Sequence, residues 1–387
     1  MENSWETTTK RQKNYSFSYL RAVAALAIVF LHTFQYESEA FGARGALKIA
    51  SITMRNMLLW AVPCFVMVSG ALLLNPDRKL SIRKLFSKYI SRILAALVVS
   101  SLIYTLVDAI IRGEGVSMRL LLLWLRYLYT GEKWKVLWYL YMLLALYLML
   151  PIYRRAAEGM TRSEWYLLLI VLLIFQQIIP MLNRFTGITS GFYIFVFSTY
   201  TFYFYVGYAI YKEIIRLPVG VAWLIFIAGT LIDAGLTIAA FLLQNEAIFE
   251  NVNSYAFIAT ALTSVGLFSL VCVKGKTEEE TPRGRIGAFL LSVDSVTLEI
   301  YLIHYIFILI VTGLYSLNGT DGFSSNIFSG LNSYRYGLWM TFIHGILFFL
   351  LSYPVGIVVH KLYKKIIRKG DMYENDLHEK NDSKGNT

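Results

Sequence analysis

Residues 17–36 read FSYLRAVAALAIVFLHTFQY, about one bilayer thickness of apolar chain, interrupted by Arg21 near its start and His32 near its end. Ten residues without a charge separate the two. On an α-helix, eleven steps turn about 1100°, some 20° past three full turns, and rise about 16 Å. Both side chains therefore fall on one stripe at different depths. An arginine inside a membrane span costs at least a few kcal/mol unless it is paired or faces water. A single one near a helix end can snorkel. Two ionisable groups on one stripe point to a site.

Composition sets the frame around that stretch. Of 387 residues, 57% are hydrophobic and 16% charged, with a mean hydropathy of +0.54. Soluble domains carry nearer a quarter charged residues, so the chain reads as an all-α integral membrane protein. The polar start, MENSWETTTKRQKN, has no small-residue cleavage site before the first span, which predicts an uncleaved anchor. Cys64 and Cys272 lie in separate apolar segments without metal-ligand spacing and read as small buried hydrophobes. No metal site is expected.

Ten apolar segments are long enough to span: 16–36, 52–75, 88–111, 135–152, 165–183, 191–214, 217–243, 253–273, 287–315 and 335–362. With the N-terminus in the cytoplasm, the alternating loops and flanks place 25 Lys and Arg inside and 10 outside, with Arg21 set aside as intramembrane. This is the positive-inside pattern. It puts both termini in the cytoplasm and explains most of the +11 net charge without nucleic acid. The organisation that follows is a short cytoplasmic segment (1–15), one membrane domain (16–365) and a charged, disordered cytoplasmic tail (366–387). The LLLLWLRYLY stretch within 112–134 is too short to span and predicts an interfacial or re-entrant helix.

Further constellations accompany the first span. WAVPCFVMVSGALLL places Pro63 in the second span and Ser69-Gly70 near its basic end, either a packing kink or a place where a ligand approaches the backbone. The run NPDRKLSIRKLFSKYISRIL follows, with Arg83, Lys84, Lys88 and Arg92 entering the third span. It serves either to orient the helix against anionic headgroups or to cradle phosphates. Trp138 and Tyr139 crowd the outer end of the fourth span, where an aromatic belt is expected in any case. In SVDSVTLEIYLIHYIFILIV, the ninth span, Asp294, Glu299 and His304 are ionisable residues in or near the apolar region. Glu299 and His304 lie about 140° apart on a helix, so each needs a partner on another element. Asp233, between Gly229 and Gly235, marks a hydrated or packed region of the seventh span.

Four of these segments carry a resemblance. YLRAVAALAIVFLH resembles the opening helix of the membrane acyltransferase-3 family, with its arginine, ten residues, then histidine. VPCFVMVSGALLL is similar to that family's second-helix Pro-Phe-Ser-Gly motif, LWYLYMLLALYLMLP to its fourth helix, and LEIYLIH to its late Tyr-Leu-hydrophobic-His segment. Order, spacing and span count agree over residues 15 to 365. Three positions depart from the pattern: Ser18 stands where the family often has Asp, Lys88-Tyr89 where it often has two arginines, and Val136 where a histidine often precedes Leu-Trp.

The resemblance implies transfer of an acyl group, most often acetyl, from cytoplasmic acyl-CoA to a hydroxyl of a cell-envelope glycan or lipid-linked sugar, in a bacterial plasma membrane. It assigns His32 as catalytic, with Arg21 as its partner along the donor path. Ser69, Gly70, Arg83, Lys84, Lys88 and Arg92 become candidates for holding acetyl-CoA. Trp138, Tyr139, Glu299 and His304 are the candidate substrate-binding residues. The chemistry is compatible, because acylation of a hydroxyl needs a base, and a neutral imidazole is the best one in the first span. A transporter or flippase for a polar solute or lipid-linked sugar, and a non-catalytic component of a polysaccharide-assembly complex, are the alternative expectations.

Overall fold

The first helix, α1 (Tyr15–Ala40), is walled in by the others. Its most apolar window is 72% buried, against 22% for the helix Val219–Leu242 at the lipid-facing periphery. Ala22, Ala24, Ala25 and Ala27 allow that burial, since small side chains let neighbouring backbones close in. The computed structural model describes residues 15–76, 78, 80–187, 198–277, 284–317 and 337–384. Among them there is no strand.

Two helices form the second predicted span: α2 (Gly45–Asn56) and α3 (Ala61–Leu73). Pro63 explains the break. It has no N–H to bond the carbonyl of Leu59, and the chain tightens into turns in which Leu58 and Leu59 donate to Arg55 and Asn56. Pro63 thus sits in the first turn of α3, where proline is tolerated, and not in mid-helix. Next come α4 (Ile82–Ile111), with a π-helical turn at Leu85–Ile90, and the short α5 (Met118–Thr130). The latter exposes Leu121, Leu122, Leu125 and Tyr129 while Trp124 donates to Ser101 at 3.0 Å, as an interfacial helix should.

The chain continues through α6 (Trp138–Glu158), α7 (Arg162–Thr186), α8 (Thr199–Tyr211), α9 (Val219–Leu242), α10 (Glu246–Val252) and α11 (Ile258–Thr277). It ends with α12 (Gly284–Ser295), α13 (Thr297–Leu317) and α14 (Leu338–Lys384). Seven helices are long and apolar enough to cross a membrane among the described residues, or eight if α12 and α13 count as one span. The expected ten include two that are shorter here. The sixth is Thr199–Tyr211, with 191–197 outside the described residues, and the eighth is apolar over Ile258–Val273.

The ninth predicted span is not straight. The axes of α12 and α13 bend by 77° at Val296. Hydroxyls accept the consequences: Ser295 donates to the carbonyl of Ser292 and Thr297 to that of Asp294, satisfying groups the helix leaves open. After Leu362, α14 remains helical to Lys384, through the segment whose composition predicts disorder. Extending an existing helix needs no new nucleus, so a packed span can carry a polar continuation.

Glycines set the closest approach. A Cβ on Gly70 would stand 1.9 Å from the carbonyl oxygen of Phe204, and one on Gly207 2.3 Å from that of Met67, so α3 and α8 touch backbone to backbone. Gly70→Val should therefore lower stability by about 3 kcal/mol or more, a drop of roughly 4 °C or more in the unfolding temperature of purified protein. Gly220→Ala, where nothing lies within 4 Å of the added carbon, should leave that temperature unchanged.

Candidate active site

Arg21 and His32 do face one side of α1, and each meets a partner from the bent pair. Arg21 donates through Nε and Nη2 to the two oxygens of Asp294, at 2.6 and 2.9 Å. This two-donor fork is the strongest geometry available to a guanidinium and a carboxylate. Eleven residues further, His32 Nδ1 lies 2.9 Å from His304 Nε2, with the two rings nearly parallel at 4°. Both histidines are buried.

The proton positions in that histidine pair follow from what surrounds it. His304 Nδ1 lies 3.0 Å from the carbonyl oxygen of Ile300, which can only accept, so Nδ1 carries hydrogen. A neutral His304 then presents a bare Nε2. His32 Nδ1 must donate to it, and this leaves His32 Nε2 with a free lone pair. The carbonyl thus sets the tautomer of a residue two bonds away. Around His32 stand Tyr36 and Tyr301, with ring centroids 6.0 and 6.4 Å from the imidazole.

Arg21, Ala25 and Ile28, at helical spacing on α1, line a cavity of about 1140 Å³. That is slightly above the usual range for small-ligand sites. Its basic end carries Lys88, Arg92, His360, Lys361 and Lys365. Its other wall is aromatic, with Tyr139, Tyr147 and Tyr301. Tyr301 connects the two halves of the site. It lines the cavity on one side and abuts His32 on the other, its ring stacked edge-on against Tyr139 at 5.5 Å and its hydroxyl donating to the Val136 carbonyl.

Glu299 lies at the junction of three helices. One oxygen, Oε1, accepts from Arg92 at 3.0 Å and from His360 Nδ1 at 2.8 Å. The other, Oε2, is buried and makes no hydrogen bond among the described residues. Ser69 also faces the cavity. Its hydroxyl hydrogen goes to the Phe65 carbonyl at 2.9 Å, and its side chain also hydrogen-bonds Tyr147 on the cavity wall.

The structure thus gathers Arg21, Ser69, Lys88, Arg92, Tyr139 and Glu299 around one cavity, with His32 and His304 beyond Tyr301. Four candidates stand elsewhere. Gly70 is spent on the contact with Phe204, and Arg83 and Lys84 sit one turn before the cavity, outside its lining. Trp138 packs between Tyr200 and Tyr255, at 5.4 and 5.3 Å, away from the cavity wall. His360, Lys361, Lys365 and Tyr147 join the site although the sequence reading passed over them. Lys361 and Lys365 fall among the flank charges that a count of Lys and Arg assigns to a side of the membrane and not to a site. A histidine at a membrane-span end was the available signal for His360.

The fold is a multi-pass membrane bundle, with a cation-lined cavity on one side of Tyr301 and a buried, tautomer-fixed histidine on the other. Residues 14–365 match the family profile described as acyltransferase domain, and the chain belongs to the acyltransferase-3 family. No curated protein and no solved structure matches the chain.

The Arg21–Asp294 pair is open to a double-mutant cycle. Asp294→Asn and Arg21→Met should each lower stability by about 2 kcal/mol, a partly solvated version of the loss seen when a buried ion pair is broken. The double variant should fall short of the sum by about 1 kcal/mol or more in reversible unfolding from detergent. Strict additivity would mean that the pair contributes nothing.

Proposed function

We propose that the protein is an O-acetyltransferase of the bacterial plasma membrane. It takes an acetyl group from cytoplasmic acetyl-CoA and places it on a hydroxyl of a cell-envelope glycan or lipid-linked sugar. The observation that carries this reading is the Ile300–His304–His32 hydrogen-bond chain, which leaves an unprotonated His32 Nε2 next to the inner wall of a cavity whose far end is cationic.

The basic end is taken as cytoplasmic, as the distribution of Lys and Arg favours. Lys88, Arg92, Lys361 and Lys365 suit the phosphates of coenzyme A. The pantetheine arm then lies along Ala25 and Ile28, past the Arg21–Asp294 pair, and brings the thioester toward Tyr301 and His32. The roughly 16 Å from Arg21 to His32 is comparable to that arm in extension.

In the reaction, the acceptor hydroxyl gives its proton to His32 Nε2 as its oxygen attacks the thioester carbonyl. The imidazolium formed keeps its Nδ1 hydrogen bond to His304, which limits the cost of a charge in a buried place. The tetrahedral oxyanion collapses, the carbon–sulfur bond breaks, and the thiolate takes the proton back from His32. The products are an ester and free coenzyme A, and the enzyme returns to its starting protonation.

Membranes carrying the wild type should transfer label from radiolabelled acetyl-CoA to an extractable glycan, and His32→Ala should reduce that transfer by at least about 100-fold. His304→Ala should lower turnover by roughly 10-fold or more while leaving the KM for acetyl-CoA unchanged, because it removes the acceptor that fixes the His32 tautomer. A His32→Ala protein that transfers acetyl normally would end the reading.

The donor site has its own test. Replacing Lys88 and Lys361 together by Ala should raise the KM for acetyl-CoA about 10-fold with little change in kcat, and added salt should weaken the wild type's donor affinity in the same direction. Unchanged donor affinity would return those lysines to a role in membrane orientation.

A further inference from the structure

A second arginine stands near His32, outside the lining of the basic cavity. Arg55, in the last turn of α2, is half-buried and lies near His32, Tyr36 and Tyr255. Among the described residues no carboxylate comes within ion-pairing distance. Asp233 and Glu39 act on it only from further away. Its bonds go instead to neutral amides: Nη1 donates to Asn56 Oδ1 at 2.6 Å and to Asn253 Oδ1.

Those two amides are themselves fixed. Asn56 donates to Thr237 at 2.9 Å, Asn253 to the Phe249 carbonyl at 2.7 Å, and Asp233 accepts from Thr260 at 3.2 Å. Nη1 is therefore anchored, while the Nε–Nη2 edge makes no hydrogen bond among the described residues, and Nε is buried. That edge is the two-donor face that matches a carboxylate or phosphate. A guanidinium held rigidly by neutral groups, with its bidentate face unused, is a costly arrangement for a membrane protein. A transient anion would complete it.

We infer that the Nε–Nη2 edge of Arg55 binds an anionic group of the acceptor, a carboxylate or a phosphate, and so positions a neighbouring hydroxyl for His32. This rests on the transfer reading above and narrows it, because the acceptor becomes an acidic or phosphorylated sugar in place of a neutral one. Arg21 and the basic cavity serve the donor, and Arg55, outside that cavity's lining, serves the acceptor. Tyr36 and Tyr255 are its aromatic neighbours.

Binding of three probes to the purified full-length protein tests this: glucose, glucuronic acid and glucose 1-phosphate, with excess coenzyme A present to occupy the basic cavity. Saturation-transfer NMR reads the affinities. At least one charged sugar should bind about 10-fold tighter than glucose, and Arg55→Gln should erase the difference. Preference for glucuronic acid alone identifies a carboxylate, and preference for glucose 1-phosphate alone a phosphate. Equal binding of all three, or a preference that survives Arg55→Gln, overturns the inference.

If Arg55→Gln does not fold, Arg55→Lys carries the test. It keeps the charge but loses the paired donors, and should cut the preference at least threefold; an unchanged preference overturns the inference. The probes contain no acyl group. Loss of the preference in a protein that still transfers acetyl would therefore remove this inference alone. An Arg55-dependent preference in a protein that transfers nothing would remove the transfer reading alone.

Discussion

An ionisable group buried in a membrane bundle must find a partner, and α1 carries three: Glu37, near its C-terminus, pairs with His344, while Arg21 and His32 lie deeper in the helix. Arg21 and His32 sit within about 20° of each other around the helix and roughly 16 Å apart. Their partners, Asp294 and His304, are ten residues apart, which on a straight helix would be about 15 Å but some 80° out of register. A straight ninth span could satisfy one of the two and would strand the other. The 77° bend at Val296 resolves the conflict, letting α12 deliver Asp294 to Arg21 and α13 deliver His304 to His32. The SVDSVT stretch around the bend is suited to it, since its hydroxyls bond the carbonyls that a break leaves open.

The bend also positions the donor side. Glu299, early in α13, faces the cavity and ties α13 to α4 through Arg92 and to α14 through His360. Three helices thereby share one carboxylate at the basic end. On the far side, the backbone contact of α3 with α8 at Gly70 and Gly207 fixes the helix that carries Ser69 and Phe65 into the cavity wall. The site is thus built on packed helices with little freedom to shift, which is what acyl transfer between two separately bound substrates requires.

Much of this was legible in the chain. The Arg21–His32 stripe, the spanning segments and the need of Glu299 and His304 for partners follow from helical geometry and the cost of buried charge. The partners themselves were not legible, because pairing between α1 and residues some 270 positions away is tertiary information. Hydropathy could not separate the bent pair from a straight span, since both are apolar and of the same length. Gly70 shows a different limit: Ser-Gly signals a close approach, and only the fold says that the approaching group is Phe204. Lys361, Lys365 and Arg55 were counted as loop or flank charges, and charge counting assigns a side of the membrane without assigning a face of a helix.

Tyr301 separates the cavity from the histidine pair. In the structure its ring stands between the cavity and His32, clamped by Tyr139 and by the bond from its hydroxyl to the Val136 carbonyl. That carbonyl belongs to the tight turn Lys135–Leu137 that precedes α6, where the departure of the backbone from α-helix leaves an acceptor open. Water entering from the basic end therefore meets an aromatic wall before it meets the imidazole. On the proposed reading, a thioester must displace the Tyr301 ring to reach His32. On that same reading the pantetheine arm, held at its far end by Lys88, Arg92, Lys361 and Lys365, is what opens that wall, and hydrolysis is thereby kept low. On the same reading Arg55, near His32 and outside the lining of the basic cavity, holds the acceptor without occupying the donor's path.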